Sequence, residues 1–211
     1  MRFLVITDLH QKKSMVSRIN QCYKDNECDA LLFLGDATDL GTAEDAAEMM
    51  SMLEGDVYAI PGNCDPRDTP KMISSVVKDV HGKRFSVGGI RFAALGGSNI
   101  TIFKTPFEYE EEEITELLEP ISSEGMVLMT HAPSYGILDE IPSGINVGSR
   151  AILGIVERYR PVAAISGHIH EAIGIVNKNG TLFMNPGPAR EGRAGILDIG
   201  PEGASAKLVR L

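Results

Sequence analysis

Short apolar runs alternate with longer mixed segments through the first third of the chain. Residues 3–6, 30–34 and 57–60 are the apolar runs, while residues 14–26 and 42–53 carry the spacing of amphipathic helices. Apolar stretches of strand length separated by helices predict βαβαβ units and a parallel sheet covered on both faces. The loops that follow such strands share one edge, and ligand sites in open α/β sheets lie outside the carboxyl ends of the strands. Those loops read Thr7-Asp8-Leu9-His10, Gly35-Asp36 and Pro61-Gly62-Asn63-Cys64-Asp65.

The pattern changes after residue 83, where residues 84–87 and 90–95 flank Gly88-Gly89 as a hairpin. An acidic helix is expected near residues 109–118 and a buried strand at 126–129, ending in Thr130-His131. A helix over about 148–158 and a strand at 162–165 lead into Ser166-Gly167-His168-Ile169-His170. Two more hairpins are expected: 173–176 with 181–184 across residues 177–180, and 195–199 with 206–209 across residues 200–203. The acids Glu108 and 110–113 read as a solvated face favoured by the helix dipole rather than a metal patch.

With 211 residues, 43% hydrophobic and 23% charged, one domain over residues 1–211 can bury a sufficient core without disulfides. The excess of 29 acidic over 20 basic side chains, a formal charge of −9, argues against a nucleic acid duplex or a membrane surface as partner. Cys22, Cys28 and Cys64 form no CxxC pair, and their odd number points to a reducing, cytoplasmic setting. The apolar run before Thr7 and Asp8 is too short for a signal peptide or a membrane span. None of these patterns specifies an oligomer.

The candidate chemistry lies in a joint pattern. Asp8-x-His10, Gly35-Asp36, Gly62-Asn63, His131 and Gly167-His168-x-His170 place seven oxygen and nitrogen donors after five strands. Imidazole with carboxylate suits Mn, Fe, Zn, Co or Ni, and the lack of Cys pairs argues against a closed structural zinc. Two metals about 3.5–4 Å apart need a bridging carboxylate and clamp the attacking and leaving oxygens of phosphoryl transfer. Asp36 is the natural bridge. Water on such a metal, acidified to a pKa as low as about 7, would supply the nucleophile. Neither a GxSxG elbow nor a GxxxxGK[ST] loop is present, so a serine hydrolase and a P-loop enzyme are unsupported.

These five motifs in this order, from Asp8 to His170, resemble the calcineurin-like metallophosphoesterase superfamily. The resemblance implies an α/β fold, a four-layer α/β/β/α sandwich of the metallo-dependent phosphatase type. It assigns one divalent metal to Asp8, His10, Asp36 and His170, and a second to Asp36, Asn63, His131 and His168. Manganese is the first candidate, with iron, zinc, nickel or cobalt as alternatives. Asp36, Asn63 and His10 become the catalytic residues, and a small-molecule phosphate ester the partner.

A closer likeness lies in Thr130-His131-Ala132-Pro133, Gly136-Ile137-Leu138-Asp139 and Val147-Gly148-Ser149, and in the residues following Gly167. These are similar to Icc-related phosphoesterases of prokaryotes and to animal metallophosphoesterase-domain proteins, which act mainly on phosphodiesters, cyclic nucleotides included. A phosphomonoesterase and a non-catalytic binding scaffold are the alternatives. Asn185-Pro186-Gly187-Pro188 resembles the closing segment of the family beside the metals. Many members carry His as general acid where this chain has Cys64, which leaves protonation of the leaving group to His10, another side chain or water. Arg67, Ser98 and Asn99, together with Asn63, are the expected substrate contacts.

Overall fold

A computed structural model describes residues 1–211. Its first half runs β1 (Arg2–Ile6), α1 (Val16–Asp25), β2 (Ala30–Phe33), α2 (Ala43–Ser51), β3 (Val57–Ala59), α3 (Thr69–Ile73) and β4 (Lys78–Asp79). There follow β5 (Lys83–Val87), β6 (Ile90–Leu95), β7 (Ser98–Asn99), β8 (Glu108–Tyr109), α4 (Glu111–Leu118), β9 (Val127–Thr130) and α5 (Arg150–Tyr159). The chain ends with β10 (Ala163–Ile165), β11 (Gly174–Lys178), β12 (Thr181–Asn185), β13 (Arg193–Gly200) and β14 (Gly203–Arg210).

Alternate residues of β1 point to opposite faces, and this sets the layers. Phe3 and Val5 enter a seam with Phe92, Val127, Ala163 and Leu182, whereas Leu4 and Ile6 lie with Ile19, Met49 and Met50 of α1 and α2. Both faces are covered, so the run shows no polar alternation. A third apolar layer joins Leu128 and Phe183 to Ile114, Leu118, Ile152 and Ile155 of α4 and α5. Helices, sheet, sheet and helices give the four-layer α/β/β/α sandwich expected.

One six-stranded sheet has the order β14-β13-β1-β2-β3-β4 and the other β11-β12-β10-β9-β6-β5. Strands β1 to β4 run parallel, as do β6, β9, β10 and β12. The carboxyl ends of the two parallel blocks meet at one edge, where the polar motifs lie.

Gly88 and Gly89 have φ of 55° and 84°, and Asn179 and Gly180 have 52° and 85°, the left-handed pairs that two-residue hairpin turns require. Strand β11 therefore continues through Asn177 and Lys178, which had been expected in the turn. Helix α3, strand β4 and the parallel β7–β8 pair were not expected; with at most five residues each, they carry no periodicity to read.

The acidic run is the solvated face expected at Glu110, Glu112 and Glu113, which are exposed, but not at Glu108 and Glu111. Glu108 is buried at 7% exposure, and Glu111 accepts from Ser149 Oγ at 2.8 Å and from the Ala151 N–H at 2.6 Å. Glu111 thus satisfies donors that the start of α5 leaves free, with its charge at the positive end of that helix. The three cysteines are free thiols, and no helix is long and apolar enough to cross a membrane.

Candidate metal centre

Asp8 and His10 follow β1, Asp36 follows β2, and His168 follows β10; their φ angles are 53°, 43°, 54° and 68°. For residues other than glycine such backbone costs on the order of 1–3 kcal/mol each and persists only where the surroundings impose it. Here the loops are laced together. Asp8 N–H donates to Gly35 O at 2.9 Å, His10 N–H to Asp36 O at 3.0 Å, Gly167 N–H to His131 O at 2.9 Å and Arg190 N–H to Asp8 O at 3.2 Å. Side chains at two glycines would block this lacing: a Cβ on Gly62 would overlap the Asp36 carboxylate, and one on Gly167 would overlap Thr7 and Asp8.

Asp8 and Asp36 are buried, at 0% and 2% exposure. Asp8 Oδ1 lies 3.1 Å from His170 Nε2 and 3.7 Å from His10 Nε2. Asp36 Oδ2 lies 3.8 Å from His10 Nε2 and 3.5 Å from His131 Nε2. His131 Nε2 is 2.9 Å from Asn63 Oδ1, and the His168 ring stands 5.1 Å from the His131 ring. Donor atoms of Asp8, His10 and His170 lie within 4.8 Å of one another, and so do those of Asp8, Asp36 and His131. A third such group joins His10 and Asp36 to Cys64. The fold therefore brings all seven expected donors to one place, with His168 outside these tight groups and against His131.

Asp8 Oδ2 accepts from Thr7 Oγ1 at 2.6 Å and from the His168 N–H at 3.2 Å, but Asp8 Oδ1 and both ring nitrogens of His10 are buried without a hydrogen-bond partner. Polar atoms buried unpaired are costly, and orphaned carboxylate and imidazole atoms facing one another fit a divalent cation. Burial opposes the charge of both aspartates, yet the surrounding imidazoles hold Asp8 well below the usual carboxylate range and Asp36 below it. Burial also works against a charged His131, but Asp36 lifts it to about 9. His168 is pushed down to about 4 by burial and then by the charge on His131. The pair of carboxylates thus attracts positive charge strongly enough to hold protons that a cation would replace.

The expected substrate residues fare differently. Asn63 is in the cluster. Arg67 lies over the rings of Phe107 and Tyr109, 5.1 and 5.2 Å from their centroids, and one amino group donates to Glu108 O at 2.5 Å. Ser98 is buried and donates to Asn99 O at 2.9 Å, while Asn99 Nδ2 donates to Val147 O at 3.2 Å. Arg67 and Asn99 thus tie separate segments together, while the Ser98 hydroxyl bonds within its own strand. Burial and then the charge of Asp36 push the Cys64 thiol up.

Sequence reasoning missed Arg190. It sits on the turn Ala189–Glu191, with Nη2 3.3 Å from His170 Nδ1. Its only signal is its place just beyond Asn185-Pro186-Gly187-Pro188.

Residues 1–172 match the sequence profile described as calcineurin-like phosphoesterase. The MJ1162 protein of Methanocaldococcus jannaschii is 34% identical over 197 residues, covering 89% of this chain and 88% of that protein. The structure of TT1561 of Thermus thermophilus superposes with a TM-score of 0.76 at 15% identity, over 99% of each chain. An archaeal phosphodiesterase superposes with a TM-score of 0.60 at 14% identity, over 99% of this chain and 100% of that one.

Proposed function

The chain belongs to the calcineurin-like phosphoesterase family, and from that premise we propose that it hydrolyses a small phosphodiester at a pair of divalent metal ions. The family is one of metal-dependent phosphoric ester hydrolases. One observation carries the two-metal reading: Asp8 Oδ1 and both nitrogens of His10 are buried without partners, in overlapping groups of donor atoms. Asp8, His10 and His170 would hold one cation and Asn63, His131 and His168 the other, with Asp36 shared. Asp36 suits that role because its Oδ1 takes the Cys64 N–H at 2.8 Å while Oδ2 faces His10 on one side and His131 on the other.

Cations held there supply positive charge to the phosphate oxygens and acidify water. The chain's own groups do the rest. The laced loops fix the donors before substrate arrives, and the Asn63 amide and the Arg190 guanidinium are the groups for the phosphate oxygens. Arg190 forms no ion pair with a carboxylate, and its planar fork suits an oxyanion. Arg190→Met is expected to raise KM about 10–100-fold with a smaller change in kcat, since a bond to a charged group contributes about 1.5–3 kcal/mol. Steady-state kinetics with an unchanged KM would remove Arg190 from the substrate site.

The diester preference is supported by the segments around His131, Asp139 and Ser149 that resemble Icc-related phosphoesterases, and it agrees with the archaeal phosphodiesterase that shares this fold. With Mn²⁺, the purified protein is expected to cleave bis-p-nitrophenyl phosphate faster than p-nitrophenyl phosphate. The reverse order would make it a phosphomonoesterase.

A further inference from the structure

We propose that Thr105 and Glu108 are positioning residues that fix which atom of the Asn63 amide faces the metal centre. The proposal rests on the two-metal reading above and extends it to residues that touch neither cation nor substrate.

The Glu108 carboxylate is buried and receives four donors. It accepts from the Thr101 N–H at 3.2 Å, from Thr101 Oγ1 at 2.5 Å, from the Thr105 N–H at 2.9 Å and from Thr105 Oγ1 at 2.5 Å. An ionised carboxylate only accepts, so the Thr105 hydroxyl must give it its single hydrogen. What remains on Thr105 Oγ1 is acceptor capacity. Its other partner is Asn63 Nδ2 at 3.0 Å, and that partner has to be the amino end of the amide. The opposite end, Oδ1, is thereby turned inward, 2.9 Å from His131 Nε2.

The reversed amide would set its oxygen against the Thr105 oxygen and point N–H groups at the place of a cation. Both changes are unfavourable, so a carboxylate two bonds removed selects the ligand atom. Backbone supports the same geometry: the Phe107 N–H donates to Asn63 O at 3.1 Å, which seats the 101–108 loop against the loop that carries Asn63. The relay also explains why an acid lies buried here among exposed ones. Glu108 serves the loop from inside.

The test compares Mn²⁺ titrations by calorimetry of the wild type, Thr105→Val, Thr105→Ser and Glu108→Gln, each melted in chelator as a control on folding. Loss of partners that orient metal ligands typically costs about 10–100-fold in affinity. Thr105→Val is expected to weaken one of the two Mn²⁺ binding events by that factor with an unchanged melt in chelator, and Thr105→Ser to restore it. Glu108→Gln gives a second route should Thr105→Val fold poorly. Its amide can donate to Thr105, which frees the threonine hydrogen to face Asn63 and removes the selection, so a loss of affinity is again expected. Equal affinity in all four proteins overturns the relay alone. A wild type that binds no Mn²⁺ overturns the two-metal reading and the relay with it.

Discussion

Asp36→Asn should reduce Mn²⁺-dependent diester hydrolysis by at least about a thousandfold, because a shared carboxylate is worth several kcal/mol where two cations approach closely. Asparagine keeps the shape of the side chain and an oxygen for the Cys64 N–H, which Asp36 Oδ1 holds at 2.8 Å. What it loses is the negative charge that lies between His10 and His131. The protein should stay folded, since the core layers are made by other residues. Metal content measured after gel filtration should fall by at least one ion per chain. A variant that keeps a tenth of the activity and its full metal content would show that Asp36 does not bridge.

The reasons some of this could be read from sequence and some could not are physical. Runs such as Phe3 to Ile6 are legible because β1 is covered on both faces, which demands apolar residues at every position. Gly88-Gly89 is legible because few dipeptides adopt two left-handed conformations in a row. The candidate metal donors are legible because each lies in a loop that follows a strand, and a parallel sheet delivers such loops to one edge. Glu108 and Arg190 were not, because their roles come from partners that only tertiary packing supplies. Glu108 acts on Asn63, which is 45 residues earlier in the chain, through a loop hydroxyl. Arg190 reaches His170 because its turn is pinned to β1, with the Ala189 N–H on Thr7 O at 2.8 Å. Nothing local marks either residue, and in the case of Glu108 the neighbouring acids suggested the opposite environment.

Gly62→Ala should also cut activity about a hundredfold although it replaces none of the proposed ligands. Gly62 lies outside the left-handed region, so alanine can adopt its backbone, and the defect is steric alone. The new methyl would overlap the Asp36 carboxylate and the Asp36 backbone nitrogen. Neither yields readily: Asp36 O accepts from the N–H groups of Leu9 and His10 at 2.9 and 3.0 Å, and Asp36 Oδ1 holds the Cys64 N–H. The loop of residues 61–65 must lift instead and carry Asn63 with it. Overpacking of this kind costs about 1–3 kcal/mol of stability, and a displacement of about 1 Å at reacting groups can cost about a hundredfold in rate. Activity should therefore fall about a hundredfold with a measurable loss in denaturant midpoint. Gly154→Ala supplies the contrast, because nothing lies within 4 Å of a Cβ there and α5 should gain about 0.5–1 kcal/mol. If Gly62→Ala hydrolysed the diester as fast as Gly154→Ala, the close approach of the two loops would not be what holds Asp36 and Asn63 in register. If it fails as expected, the glycine before Asn63 is there to let a second loop touch the bridging carboxylate.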